Sequence, residues 1–185
     1  MTNRIKYLKK ILPIFLLVML DQAIKLYIAK FLMDKKFIIG NILGFKPYLN
    51  VKYSWINSMT NMGISLTLHI LLVIVLLLCI LIIYDFIETK YSMNTYGHSL
   101  FAFLIAGAAC SLIDKVAWGG SLDYVLLNGF FIFDLKDCYI SVFEVMLILS
   151  LFKSKEVRNA KGRVLIKGFS DYFKIKYLKK FRKSV

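Results

Sequence analysis

The sequence is poor in proline, cysteine and acidic residues, and each shortage excludes a class of protein. Two prolines and ten glycines in 185 residues exclude a collagen-like or low-complexity chain. The three cysteines show no C-x-x-C spacing and no His partner, which argues against a disulfide framework and a zinc site. Only 11 acidic residues accompany 25 basic ones. The rest is largely apolar, with 59% hydrophobic residues and a mean hydropathy of +0.67. An apolar and basic chain indicates a membrane protein rather than a nucleic-acid-binding one.

Four stretches of the chain are candidates for membrane-spanning helices, because a span needs about 20 mostly apolar residues. They are Ile11–Leu32, Ile64–Ile87, His98–Asp114 and Cys138–Phe152. The segment 33–63, between the first two, mixes β-branched and aromatic residues with Gly and Pro, which predicts short strands on the membrane surface. We therefore expect an all-α membrane protein with four transmembrane helices and a small extracytoplasmic β-rich cradle.

Basic residues predict how the spans are oriented. Four spans place both termini on one side, and this side collects most of the basic residues: Arg4, Lys6, Lys9, Lys10, Lys90 and the twelve Lys and Arg from Lys153 to Lys183. Because cytoplasmic flanks carry an excess of Lys and Arg, both termini are expected in the cytoplasm. The sequence divides into a four-helix domain, 1–152, and a basic cytoplasmic tail, 153–185. The tail is either an amphipathic helix on anionic lipid or an ordinary basic flank.

Two aspartates fall at the same membrane boundary. The third predicted span ends at Asp114 on the outer side, and Asp137 begins the fourth, so the topology alone brings both carboxyl groups to one level. Two neighbouring carboxyl groups share a proton, and such a pair can activate a water molecule as aspartic proteases do. The alternative is that both acids only cap helices at a wet interface. Since Asp137 begins a helix, the helix dipole favours Asp137 as the carboxylate and Asp114 as the acid.

Asp21 and Lys25 lie inside the first predicted span, where charged residues are costly unless they are paired. Their i,i+4 spacing, with the acid first, is the favoured order for an ion pair on a helix. We interpret them as a supporting structural pair in preference to a direct chemical role.

Three motifs resemble those of the lipoprotein signal peptidases (signal peptidase II), which are bacterial intramembrane aspartic peptidases with four transmembrane helices. "DQAIK" from Asp21 resembles the D-x-x-x-K signature of this family. "GAACSLIDKVAWGGSLD" from Gly107 resembles the G-x-x-x-N-x-x-D-R segment, and "FDLKD" from Phe133 resembles F-N-x-A-D. The order of the motifs and their positions relative to the spans also fit.

The resemblance implies that Asp114 and Asp137 are catalytic and need no metal or cofactor. The implied substrate is a lipid-modified prolipoprotein cleaved before its lipidated Cys, and the implied location is the bacterial inner membrane. Ser111, Lys115 and Asn57 would position the substrate, with Asn57 preferred over the later "NMG" at residues 61–63. Membrane lipid is the other expected partner, nucleic acid is not expected, and a monomer is.

The chain departs from the family pattern at four positions around the two aspartates. Ser111 replaces Asn, Lys115 replaces Arg, Asp134 replaces Asn and Lys136 replaces Ala. Asp134 adds a third acid, which would disturb its neighbours unless Lys136 or Lys115 neutralises it. Three readings therefore remain: a divergent active peptidase, a catalytically silent paralogue that binds lipidated peptides, and a small proton-coupled transporter.

Overall fold

The computed structural model describes residues 3–53, 57, 60, 62–153 and 162–178, with the side chains of 3–6, 162–165 and 178 left out. Five α-helices and four strands follow one another in this part of the chain. In chain order they are α1 (Asn3–Phe31), β1 (Phe37–Ile39), β2 (Leu43–Asn50), α2 (Leu66–Tyr91), α3 (Thr95–Ile113), β3 (Ser121–Leu127), β4 (Phe131–Phe133), α4 (Leu135–Lys153) and α5 (Gly162–Phe173). A π-helical turn, Asp114–Trp118, continues α3 beyond the predicted end of the third span, and a second, Lys174–Leu178, continues α5.

Three helices in the described part of the chain are long and apolar enough to cross a membrane: Tyr7–Phe31, Leu66–Tyr91 and Thr95–Trp118. They coincide with the first three predicted spans. The fourth predicted span, Cys138–Phe152, lies within α4, whose 19 residues include Lys136, Asp137 and Glu144. With these charges, α4 has more charged residues than a helix that can be identified as a span from length and composition alone, so the fourth span stays a prediction.

The helices expose large apolar side chains on their outer surfaces. Phe15 on α1, Val75 on α2 and Val145 on α4 are each more than half exposed. A soluble protein would bury such residues, whereas a bilayer solvates them at no cost. The hydrophobic effect therefore gives these helices little reason to associate, and contacts between small and polar residues have to hold them together.

Helix α3 lies at the centre of the bundle and contacts α1, α2 and α4. Its middle is rich in small residues, and Gly107 marks the closest approach to α4. A β-carbon built on Gly107 would lie 2.8 Å from Cγ1 of Ile140. The absence of a side chain at Gly107 thus allows α3 and α4 to approach closely, which places the upper ends of both helices side by side.

The four strands form one antiparallel sheet in the order β1–β2–β3–β4. The segment 33–63 supplies β1 and β2, as predicted. The turn-rich segment 115–137 supplies β3 and β4, so two distant parts of the chain share the sheet. The register of β2 against β3 shifts between Phe45 and Tyr48, where Pro47 interrupts the hydrogen bonding. Ile28 of α1 packs against Leu122 and Tyr124, which fixes the sheet on top of α1.

The tail helix α5 packs against the C-terminal end of α2. Phe169 and Tyr172 contact Phe86, with ring centroids 5.4 and 5.3 Å apart respectively. Tyr172 and Lys176 both bind the Asp85 carboxylate. Of the two structures left open for the tail, a helix is present over Gly162–Phe173, while its binding to anionic lipid stays a prediction. Residues 154–161 and 179–185 lie outside the described part.

Candidate active site

Asp114 and Asp137 meet beside the sheet, at the upper ends of α3 and α4. Asp114 lies where α3 widens into its π-helical turn, and Gly119 ends that turn with φ +65°, a conformation that favours glycine. The Nζ atom of Lys136 lies 3.3 Å from the Asp114 carboxylate and 3.9 Å from that of Asp137. The two aspartates that topology placed at one boundary therefore surround a single ammonium group.

Asp134 and Asp137 form a reciprocal cap at the start of α4. The backbone N–H of Asp137 donates to Oδ1 of Asp134, and the N–H of Asp134 donates to Oδ2 of Asp137, both at 3.2 Å. This is the arrangement of a capping box, in which side chains three residues apart satisfy the free N–H groups of a helix start. Asn and Asp both serve as N-caps, so Asp134 keeps this role of the Asn that it replaces. The second carboxylate oxygen of Asp134, however, takes the place of the amide nitrogen of Asn, so a hydrogen-bond donor is replaced by an acceptor.

Lys25 is a fully buried ammonium group that joins three carboxylates. Its Nζ atom lies 2.9 Å from Asp21, 2.6 Å from Asp114 and 2.7 Å from Asp134. An ammonium has three N–H donors, and each finds one acceptor here. The Asp21–Lys25 pair predicted from the sequence is confirmed, but Lys25 also connects α1 to both of the other helices that form the site.

Lys136 is the second buried ammonium group of the cluster. Its Nζ atom lies 2.5 Å from both the Asp134 carboxylate and Oγ of Ser121, and 3.7 Å from Asp123. Of the two neutralising pairs left open by the sequence, the structure contains Asp134–Lys136; no ion pair between Asp134 and Lys115 occurs among the described residues.

Burial tends to raise the pKa of Asp134, but Lys136 and Lys25 outweigh it and hold the pKa below its ordinary value. Asp123 behaves differently: its burial raises the pKa above the ordinary value, against the opposing effects of Lys136 and of a hydrogen bond from Ser121. The pKa values of Asp134 and Asp123, which share the Lys136 ammonium, are thus shifted in opposite directions, because Asp134 has a second ion-pair partner in Lys25.

The contacts of Asp114 and Asp137 differ in kind. Asp114 is fully buried and accepts hydrogen bonds from Lys25 at 2.6 Å and from Gln22 at 3.2 Å. The Asp137 side chain is 44% exposed and lies 3.9 Å from Lys136, compared with 3.3 Å for Asp114. Ion pairs at the distance of Asp114 from Lys25 are stronger interactions than the helix dipole, which was the basis for distinguishing the two residues from the sequence.

Ser111 and Lys115 lie next to each other on the inner side of the site. Nζ of Lys115 donates to Oγ of Ser111 at 2.9 Å, and Lys115 is only 4% exposed. No carboxylate lies within 4 Å of this ammonium group in the part of the chain that the structure describes. Lys115 is therefore a buried cation with its charge not yet paired.

Asn57 lies in the segment between β2 and α2 and holds that segment together. Its Nδ2 donates to the carbonyl of Lys52 at 2.9 Å, and its Oδ1 accepts from the N–H of Ile64 at 3.2 Å. It is buried but is not among the residues that line the cavity described next. The structure thus brings together seven of the eight predicted site residues. The eighth, Asn57, lies outside this cluster and bonds to the backbone of Lys52 and Ile64.

A cavity of about 800 Å³ opens beside the cluster, between the sheet and the ends of α3 and α4. Ser111, Lys115, Lys136 and Asp137 lie on its polar side, while Phe130 and Phe133 contribute to its apolar side. Asp114 has no exposed surface and is linked to the cavity through Lys136 and Ser121, both of which line the cavity and lie 3.3 Å from its carboxylate. An elongated substrate with both polar and apolar parts fits this combination of surfaces.

Five residues of the site are not among the eight predicted site residues: Gln22, Asn50, Ser121, Asp123 and Lys136. Gln22 bonds to Asp21 and Asp114, Ser121 bonds to Asp123, and Asn50 bonds to Asp123 from the neighbouring strand. The i,i+2 spacing of Ser121 and Asp123 was a usable signal, because it places both on one face of a strand. The cross-strand partner Asn50 follows only from the register of β2 against β3.

Asp123, Asp134 and Asp137 have oxygens within 4.8 Å of one another, as a metal site would require. Lys136, however, lies within 3.9 Å of all three carboxylates. An ammonium at this position already supplies the positive charge that a metal ion would bring, so these residues fit a lysine-centred cluster better than a metal site.

Comparisons with known proteins agree with this architecture. A family model described as signal peptidase (SPase) II matches residues 13–153, which run from α1 to the end of α4. The chain is 29% identical over 163 residues to a lipoprotein signal peptidase of Rickettsia felis, covering 81% of this chain and 77% of that protein. It is also 29% identical over 171 residues to the lipoprotein signal peptidase of Rickettsia akari, covering 85% and 80%.

Two solved structures, each described as a bacterial membrane enzyme studied by the in meso method, have a similar fold. One aligns with a TM-score of 0.64 at 24% identity and covers 83% of this chain and 92% of the other. The second aligns with a TM-score of 0.66 at 22% identity and covers 80% and 94%. At this identity the likeness concerns the fold. The tail helix α5 lies outside the region matched by the family model.

Proposed function

The chain belongs to the signal peptidase II family, and from that premise we propose that it is an intramembrane aspartic endopeptidase acting on lipid-modified prolipoproteins. The family consists of lipoprotein-processing proteases with membrane-spanning helices, and this chain is a divergent member. The observation that carries the proposal is the approach of Asp114 and Asp137 to one ammonium group beside a cavity of mixed polarity.

The chemistry needs one carboxylate and one carboxylic acid. The carboxylate takes a proton from water while the water oxygen bonds to the scissile carbonyl carbon, and the acid gives its proton to the carbonyl oxygen. The tetrahedral intermediate then collapses: one of its hydroxyl groups returns a proton to the second carboxyl group, the C–N bond breaks, and the proton held by the first carboxyl group passes to the leaving nitrogen. Asp114, fixed by Lys25, is suited to the carboxylate role, and Asp137, which lines the cavity, is suited to the acid role.

Three further residues are suited to hold the substrate. The Lys115 ammonium has no carboxylate partner within the described part of the chain, so it can donate to a backbone carbonyl or another negatively polarised group of the substrate. Ser111 accepts one of its hydrogen bonds and keeps that ammonium in place. Lys115 has no planar fork, so it binds such a group as a point charge where the Arg of the family pattern would bind it in a bidentate manner. Asn57 contributes by linking the backbone of Lys52 to that of Ile64, a less direct role than the sequence suggested.

We further propose that α4 is a fourth span and that the protein is a multi-pass monomer in the bacterial inner membrane with both termini in the cytoplasm. The sheet and the cavity then lie on the outer side, and α5 lies on the inner side against α2. The domain division at residue 152 follows the end of α4 and the end of the family match. The proposed reaction needs no cofactor, membrane lipid surrounds the exposed apolar helix faces, and nucleic acid has no part in it.

The test is a gel-shift cleavage assay on a lipidated prolipoprotein in bicelles. Wild type is expected to shorten the substrate, while Asp114→Asn and Asp137→Asn are each expected to leave it intact. Asp34→Asn is the matched control, since Asp34 is an exposed carboxyl group between α1 and β1. Cleavage by Asp137→Asn at the wild-type rate would contradict the aspartic mechanism.

A silent paralogue is the second candidate, and one specific observation favours it. Lys136 stands between the cavity and Asp114, where a water molecule would have to reach both carboxyl groups. This candidate predicts that wild type binds the lipidated substrate without shortening it. The transporter reading has less support, because the buried charged residues of the described chain all belong to this one cluster and do not extend across the bundle.

A further inference from the structure

The pair of Asp134 and Lys136 is the feature of the site that the proposed reaction leaves unexplained. Both residues are charged and buried, and a buried charge is costly without a partner. Their mutual contact of 2.5 Å makes them the closest ion pair of the cluster. Lys136 nevertheless lies near four carboxylates, so its preference for Asp134 needs a reason.

The net charge of the site shows first what the pair adds to it. The described cluster contains five carboxyl groups and three ammonium groups: Asp21, Asp114, Asp123, Asp134 and Asp137, with Lys25, Lys115 and Lys136. Two negative charges therefore exceed the positive ones when every group is ionised, and a site of this kind readily retains a proton. Asp134 and Lys136 add one charge of each sign, so removing both leaves the same excess.

Position explains why the two residues must occur together. Lys136 lies 2.5 Å from Asp134 but 3.3 Å from Asp114 and 3.9 Å from Asp137. Without Asp134, the ammonium loses its shortest contact and is free to move closer to Asp114 and Asp137, with which it already forms longer ion pairs, and to take up more of the space that a water molecule needs. Without Lys136, the Asp134 carboxylate keeps only Lys25, for which it then competes more strongly with Asp114.

On the basis of the proposed function, we propose that Asp134 and Lys136 are positioning residues that act as one neutral unit: Asp134 keeps the Lys136 ammonium from moving closer to Asp114 and Asp137, and Lys136 neutralises Asp134. Each residue alone is then harmful, and the two are harmless together. Ser121 strengthens the unit, because its hydroxyl accepts a hydrogen bond from Lys136 at 2.5 Å.

The experiment is a double-mutant cycle on the full chain in bicelles, with Asp134→Asn, Lys136→Met and the double variant. Asn preserves the acceptor that caps α4, and Met preserves most of the apolar stem of Lys, so the cycle changes charge more than shape. Cleavage of a lipidated prolipoprotein gives kcat and KM, and the melting temperature is measured on the same samples. Asp137→Asn serves as the inactive reference.

Each single variant is expected to lower kcat by roughly 100-fold, as for the loss of one partner of a buried ion pair, with KM changed by less than about twofold. The double variant is expected to return to within about fivefold of wild type, because the charge of the site is restored. Either single variant with the wild-type kcat, or a double variant no better than the worse single one, would overturn the proposal.

Two further outcomes separate the possible failures. Coupling between the two substitutions in the melting temperature but not in kcat would make the pair merely structural and would also overturn the positioning role. If wild type is no more active than Asp137→Asn, the proposed function itself fails, and this inference fails with it. If wild type is clearly more active but the cycle shows no coupling, only the inference fails.

Discussion

Replacement of Lys25 by Met is expected to damage the protein more than replacement of any exposed lysine. The Lys25 ammonium is fully buried and lies within 2.6–2.9 Å of three carboxylates on three different elements. Removing one partner of a buried ion pair costs about 3–5 kcal/mol, because it leaves an uncompensated charge. Lys25→Met leaves three such carboxylates, so the upper part of that range applies.

The matched control is Lys10→Met on the same helix. Lys10 also forms an ion pair, with Glu88, but each side chain of that pair is 28% exposed. Exposed pairs contribute about 0–1 kcal/mol. At about 2–4 °C per kcal/mol for a chain of this size, a loss of about 4–5 kcal/mol in Lys25→Met should lower the melting temperature by roughly 8–20 °C, and Lys10→Met should lower it by no more than about 4 °C.

The measurement is thermal unfolding of both variants and wild type in the same detergent, at neutral and at mildly acidic pH. The deficit of Lys25→Met should shrink as the pH falls, because a protonated carboxyl group no longer needs a cation. Equal melting temperatures for the two variants at neutral pH would refute the claim that buried ion pairs fix α1 to the site. A full loss of cleavage with no loss of stability would instead show that Lys25 acts on the reaction alone.

Two other substitutions test the packing of the bundle and of the tail. Gly107→Ala should destabilise the protein by about 1–3 kcal/mol and lower cleavage, because its β-carbon would lie 2.8 Å from Ile140. Gly97→Ala on the same helix should be nearly neutral in thermal unfolding, since its β-carbon meets only the flexible Met93 side chain, and equal losses would contradict the account. Asp85→Asn should increase tryptic cleavage of the tail roughly fivefold, as expected for about 1 kcal/mol, because Asp85 binds Tyr172, Lys176 and Tyr177. Asp171→Asn, an exposed change on α5, should leave tryptic cleavage as it is, and an equal increase in both would argue against docking through Asp85.

The motif at Asp21 shows how far sequence reasoning reached into the site. The i,i+4 spacing identified the Asp21–Lys25 pair, because a helix makes the distance between such residues nearly constant. The same residue Lys25 also binds Asp114 and Asp134, which are 89 and 109 positions away, and no local pattern specifies this. Its classification as a supporting structural pair was therefore too narrow, since Lys25 contacts one of the two proposed catalytic carboxyl groups directly.

The two segments that form the sheet, 33–63 and 115–137, show a second limit of prediction from the sequence. Residues 33–63 have the β-branched and aromatic composition of strands, and β1 and β2 form there as predicted. Residues 115–137 read as turns between short apolar runs, yet they supply β3 and β4. A strand needs a partner to satisfy its backbone groups, and β3 has its partner in β2. The pairing could therefore be recognised only after both segments were brought to the same side.

The sequence by itself predicted the three helices that are long and apolar enough to cross a membrane, and it predicted that Asp114 and Asp137 lie at the same level. Hydropathy over about 20 residues is a local property, and the direction of each helix follows from the order of the spans. Only the tertiary structure decided which ammonium group neutralises which carboxylate. Five acids and three lysines can pair in many ways, and distances of a few tenths of an ångström, set by how closely α1, α3 and α4 pack, select one of them.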